Sequence, residues 1–96
     1  WCTIIIGANN LLKKITVIKN KNIEDFISWP IWECEPSKFD WEYAQEEHCY
    51  IIQGSVKVIC EENTVEIQEG DYVIFPKDLQ CQWEVRTPIK KYYTFK

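Results

Sequence analysis

Methionine is absent from the 96 residues, histidine occurs once and glycine three times. A sequence without a starting methionine reads as a fragment or a processed chain. Any targeting segment is then expected upstream of Trp1, and the compartment stays open. Long apolar runs are also lacking. Ile4-Ile5-Ile6 is followed at once by Gly7 and Asn9-Asn10, far short of the ~20 apolar residues that span a bilayer, so no membrane partner is expected. Clustered positive charge is missing too. The chain carries 11 Lys and Arg against 15 Asp and Glu, a net charge of −4, and Lys90, Lys91 and Lys96 are too thin a run to replace phosphate counterions. A nucleic-acid surface is thereby excluded.

Cysteine is present without the spacing of a framework. Cys2, Cys34, Cys49, Cys60 and Cys81 are odd in number and contain no C-x-x-C pair. That pattern fits buried thiols in a reducing intracellular compartment, and it excludes a zinc finger. What the sequence does contain is apolar and aromatic mass: 46% hydrophobic residues, with five Trp, five Tyr and four Phe. A chain of this length buries about 60–65% of its unfolded surface, enough for one core and one domain.

From Trp29 onward the pattern is strand after strand. Cys81-Gln82-Trp83-Glu84-Val85-Arg86 alternates apolar with polar at period two, the mark of a strand with one buried face. Val56, Val58 and Cys60 alternate with Ser55, Lys57 and Ile59, and Val65 and Ile67 resume the alternation after a predicted hairpin loop at Glu61-Glu62-Asn63-Thr64. Gly70-Asp71 and Pro76-Lys77-Asp78 read as turns around a short strand, Tyr72 to Phe75, and Ile89 to Phe95 reads as the last strand. Upstream, Lys14 to Lys19 reads as a strand. Asn22 caps a short helical turn with two acids behind it, and Trp29 to Cys34 is extended. Short strands at this spacing predict a sandwich or barrel, and closure hides the edges.

Two stretches carry more than periodicity. Glu47-His48-Cys49-Tyr50-Ile51-Ile52-Gln53-Gly54 resembles the end of the first cupin motif, an inward glutamate followed by a hydrophobic strand and a turn glycine. Gly70-Asp71-Tyr72-Val73-Ile74-Phe75-Pro76 resembles the opening of the second. With Trp29-Pro30-Ile31-Trp32, Lys38-Phe39-Asp40-Trp41 and Cys81-Gln82-Trp83, the chain from Lys14 to Phe95 is similar to small single-domain cupins related to ureidoglycine aminohydrolase and to the cupin of ethanolamine utilisation. Residues 1–13 have no counterpart and form an unassigned extension, leaving 14–96 as the barrel domain. The resemblance implies a conical antiparallel barrel with a pocket at one end. It also implies a metal held by an H-x-H pair, the motif-one glutamate and a motif-two histidine. Here the H-x-H positions are Asp40 and Glu42, the glutamate is Glu47, and the motif-two histidine is Cys81; Asp78 stands where a glycine is usual. His48, next to Glu47, points to the opposite face of its strand.

Each candidate has a plain structural reading beside the functional one. Glu47 is either an inward ligand-binding carboxylate or a solvated group at the barrel end. Cys81 shares a face with Trp83 and Val85, as a soft ligand or nucleophile or simply as a small buried apolar residue. For Asp40 and Glu42 two expectations conflict. Alternation buries Phe39, Trp41 and Tyr43 and turns both acids outward, whereas the family register turns the acids toward the cavity. With Glu47 they would then form an oxygen cluster for a hard cation. The tryptophans fill the barrel, and Trp83 with Tyr43 can stack on a flat ligand.

The expectation is an all-β single-domain cupin, a jelly-roll barrel with a short N-terminal helical turn. Its pocket, built from Glu47, Cys81, Asp40, Glu42, Tyr43 and Trp83, is expected to bind a small polar metabolite without a cofactor. One alternative is a metal-dependent enzyme of the ureidoglycine-aminohydrolase type, acting on a small nitrogenous metabolite with a divalent cation on the carboxylates and Cys81. The other is a structural or oligomerisation barrel with a filled interior. Apolar residues on both faces of the 47–54 segment predict a covered outer face and a homodimer.

Overall fold

A computed structural model describes residues 14–60 and 64–96. The expectations for the extension 1–13 and for the loop at Glu61 to Asn63 lie outside the described residues. Two antiparallel sheets are built from β1 (Thr16–Ile18), β2 (Ile31–Cys34), β3 (Ser37–Glu42), β4 (Glu47–Gln53), β5 (Ser55–Cys60), β6 (Thr64–Gln68), β7 (Tyr72–Phe75), β8 (Gln80–Val85) and β9 (Ile89–Phe95). One sheet has the order β1-β7-β4-β9-β2 and the other β3-β8-β5-β6, the jelly-roll barrel expected from the strand pattern. Asn22 caps a 3-10 turn, Ile23–Asp25, by accepting from the Glu24 amide at 3.1 Å.

Alternation decides what faces the interior. β8 is buried at Cys81, Trp83 and Val85 and more exposed at Gln80, Gln82 and Glu84, and β5 buries Val56 and Val58 directly opposite Val85 and Trp83. β4 is covered on both sides: Cys49 and Ile51 point into the core, while Tyr50 is 9% exposed on the outer face. The cover there is Phe26, just past the 3-10 turn, whose ring stacks on Tyr50 and on Tyr72 at centroid distances of 5.1 Å. The covered outer face is thus real, and this part of the cover comes from the chain itself.

Turns fix the register. Gly70 adopts φ +92 in the turn before β7, where Asp71 is 2% exposed; its carboxylate accepts from the Gln68 amide at 3.0 Å and pairs with Lys19, tying β1 to the turn. Gly54 adopts φ +93 where the chain leaves one sheet for the other, and a Cβ there would lie 2.2 Å from the Pro88 carbonyl oxygen. The β4–β9 pairing slips by one residue between Ile51 and Gln53, a bulge that bends β4 toward this crossing.

The two glycines separate backbone strain from steric conflict. Gly54→Ala is expected to destabilise the fold by about 2–4 kcal/mol, because it adds a backbone collision to the unfavourable φ. Gly70→Ala, whose Cβ would meet nothing within 4 Å, should cost only about 1–2 kcal/mol. Urea denaturation of the two variants measures the difference.

Candidate functional site

Among the described residues, the barrel interior holds a buried ion pair in the midst of apolar side chains. β9 sends Ile89, Lys91 and Tyr93 inward between β4 and β2, and Lys91 lies opposite Ile51 on one side and Trp32 on the other. β4 sends Glu47 inward between Phe75 and Phe95. The lysine ammonium donates to Glu47 Oε2, and both side chains are only 7% exposed. Around the ammonium stand three aromatic rings, with centroids at 4.8 Å for Trp83, 5.0 Å for Trp32 and 5.9 Å for Phe75. Cation–π attraction therefore adds to the charge pairing, and both are strong where water is excluded.

The pair sits in the wall of a cavity of about 210 Å³. Phe39, Tyr43 and Tyr93 line it together with Trp32 and Trp83, and Trp41 and Phe95, each 51% exposed, also belong to its lining and form its open side. The walls hold one another in place: Tyr43 stacks on Phe75 at 4.7 Å, Phe39 stacks on Trp83 at 6.1 Å, and Trp32 meets Trp83 edge-on at 5.9 Å. Trp83 Nε1 donates to the Tyr43 hydroxyl at 3.1 Å. The Tyr43 backbone is pinned to the Pro76–Leu79 turn by Tyr43 N to Leu79 O at 3.0 Å and Asp78 N to Tyr43 O at 2.7 Å. Asp78, in place of the usual glycine, accommodates φ +70 at that turn.

Of the six residues expected at the site, Glu47, Tyr43 and Trp83 line this cavity. Asp40 and Glu42 do not. They are exposed on the outer face of β3 opposite Gln82 and Gln80, as alternation requires and against the family register. Cys81 faces inward but lies beside Cys60 and Trp41, and it borders a separate shallow depression with Asp40 and Glu42. Cys81 is thus not in the lining of the Glu47 cavity, although Trp83, Glu47 and Lys91 are all near enough to act on its thiol. His48 is on the outer face, with Nδ1 2.6 Å from the Tyr72 hydroxyl and Nε2 2.6 Å from Glu46.

The unforeseen member is Lys91. Its signal is present in the alternation of Ile89, Lys91, Tyr93 and Phe95, which turns one of the two adjacent lysines of β9 inward. Reading Lys90 and Lys91 together as a surface charge run hides it.

Burial also sets the acid–base character. The Tyr43 phenol is pushed far above its ordinary range, first by desolvation and then by the nearby Glu47 carboxylate, so it remains a neutral hydroxyl. Burial pushes the Cys49 and Cys81 thiols up to about 12, which keeps both protonated and unsuited to nucleophilic attack at neutral pH.

The donor set does not fit the metal that the resemblance implied. Asp40 and Glu42 point away from Glu47, Glu47 is already held by an ammonium, and no cluster of three metal-binding side chains occurs among the described residues.

The family model of the EutQ-like cupin domain matches residues 23–93. A DUF861 family protein from Thermotoga maritima superposes with a TM-score of 0.82 at 39% identity, over 86% of this chain and 100% of that one. The EutQ protein of Clostridium difficile superposes at 0.62 with 21% identity, over 84% of this chain and 67% of its own. A putative ethanolamine utilization protein Q from Salmonella typhimurium LT2 gives 0.61 and 18%, over 82% and 66%. No protein with a curated function matches the chain.

Breaking the ion pair from one side strands a buried charge. Lys91→Met and Glu47→Leu are each expected to cost about 3–5 kcal/mol, whereas the double variant should lie close to the parent or above it in urea denaturation. Cys49 adds a pH dependence. Its folded value of about 12 exceeds the ordinary 9.0, so the unfolded chain ionises first. Stability is unaffected by this group below pH 9 and falls above it by about 1.4 kcal/mol per pH unit, a slope that Cys49→Ala should reduce.

Proposed function

The chain belongs to the EutQ-like cupin domain family, and from that premise we propose that its barrel binds a small molecule in the aromatic cavity, with Tyr43, Glu47 and Trp83 among the contact residues. The observation that carries this reading is the open cavity of about 210 Å³ beside a continuous cluster of buried apolar side chains. Ligand sites are characteristically concave and apolar with a few convergent polar groups, and aromatic walls around one ion pair match that description. A purely structural barrel has no use for an unfilled hollow bordered by half-exposed Trp41 and Phe95. A metal-dependent reaction lacks a converging donor set. The ligand is a planar molecule: flat rings make up most of the wall, and a flat body gains contact on both faces.

A single-ring compound of about seven heavy atoms, at about −0.6 kcal/mol per atom, binds with Kd on the order of 1 mM. Thermal shift and calorimetry against a panel of single-ring planar compounds are expected to find saturable binding at that strength. Trp41→Ala should weaken it roughly tenfold through lost stacking, with less than about 0.5 kcal/mol change in stability because the residue is half exposed. A panel that produces no saturable shift in the parent protein rejects the reading.

A further inference from the structure

The polar end of the cavity has hydrogen-bonding capacity left over. Lys91 has three N–H donors, and among the described residues only Glu47 Oε2 accepts from it. The rings around the ammonium are weak acceptors and leave the other two donors without a strong partner among the described residues. Glu47 Oε1 receives no donor among the described residues, and the Tyr43 hydroxyl, which accepts from Trp83, donates to none. Both members of the ion pair are more than nine-tenths buried and line the cavity. A strong donor and a strong acceptor thus stand side by side, half used, at the end of a slot with aromatic walls.

Charge decides what can complete them. The pair is neutral as a unit. A carboxylate ligand would bring a second anion beside Glu47 with no second cation to meet it, and an ammonium ligand would crowd Lys91 in the same way. Either burial of an unpaired charge is costly in an apolar enclosure. An uncharged group that carries its own acceptor and donor on one edge leaves the balance intact and uses both vacant positions.

Resting on the binding reading above, we propose that the cavity selects an uncharged planar ring with a carbonyl adjacent to an N–H, a cyclic amide, whose oxygen accepts from Lys91 Nζ and whose N–H donates to Glu47 Oε1. The cis geometry of a ring amide presents both groups on one edge, which suits the side-by-side ammonium and carboxylate. The lysine ammonium thereby supplies, from within the chain, the positive charge toward which the carbonyl points.

Matched probes of one ring size test this by calorimetry: 2-pyridone, N-methyl-2-pyridone, benzoate, benzylammonium and toluene. 2-Pyridone is expected to bind about tenfold or more tightly than each of the others, a difference of about 1.4 kcal/mol or more. The double variant Lys91→Met with Glu47→Leu, which leaves no lone buried charge, should bind toluene at least as well as the parent and lose the preference for 2-pyridone. Circular dichroism and urea denaturation establish that the double variant is folded. Equal binding of toluene and 2-pyridone by the parent overturns the cyclic-amide selection and leaves the binding reading intact. Tightest binding of benzoate or benzylammonium overturns it as well, as does a 2-pyridone preference that survives in the double variant. If no probe binds, the binding reading and the selection fall together.

Discussion

An ammonium cannot remain in a water-poor aromatic interior without a counter-charge, and the pairing of Lys91 with Glu47 meets that requirement. The surrounding architecture serves the pair. β9 brings the lysine in between β4 and β2, β4 brings the carboxylate, and Trp32, Phe75 and Trp83 present their rings to the charge. Neither residue can be exchanged alone without leaving the other uncompensated. A small barrel with nothing but apolar residues inside would be simpler to stabilise, so the presence of this pair beside an unfilled hollow is what gives the interior a chemical character.

That character differs from the metal-centred arrangement implied by the sequence resemblance. The positions where histidines were expected carry Asp40 and Glu42, and the strand turns both of them to solvent. The residue that stays at the site is Glu47, and its partner is a cation supplied by the chain. The site keeps a positive charge beside the motif-one carboxylate but changes its nature. An ammonium donates directional hydrogen bonds and has no open coordination positions, so what this interior offers is hydrogen bonding and not metal coordination.

Much of the fold was legible in the residues because one physical rule dominates it: a half-buried strand alternates. The rule placed β5, β6 and β8, buried Trp83 and Val85, and turned Asp40 and Glu42 outward against the family register, although Trp41 on the inward side of β3 stays half exposed. Turn chemistry at Gly70 and the cap at Asn22 were equally local and equally legible. The site was legible only in part. Glu47, Tyr43 and Trp83 share the cavity, whereas Cys81 faces Cys60 across β8 and β5 and is not in its lining. Lys91 was hidden because a lysine in a sequence signals solvent; only its cross-strand neighbours, distant in the chain, make its burial tolerable. Likewise the ring of Phe26 reaches Tyr50 and Tyr72 through a packing relation that no local pattern encodes.

The position of β9 has a temporal consequence. It follows every other described strand, yet it occupies an interior place in the five-stranded sheet, hydrogen-bonded to β2 on one flank and β4 on the other. During synthesis, β2 and β4 emerge early and must wait for a partner that leaves the ribosome after both. Until then the growing sheet has a gap between β2 and β4 and a solitary carboxylate where the ion pair will form, so the barrel closes by a long-range insertion of β9 rather than strand by strand.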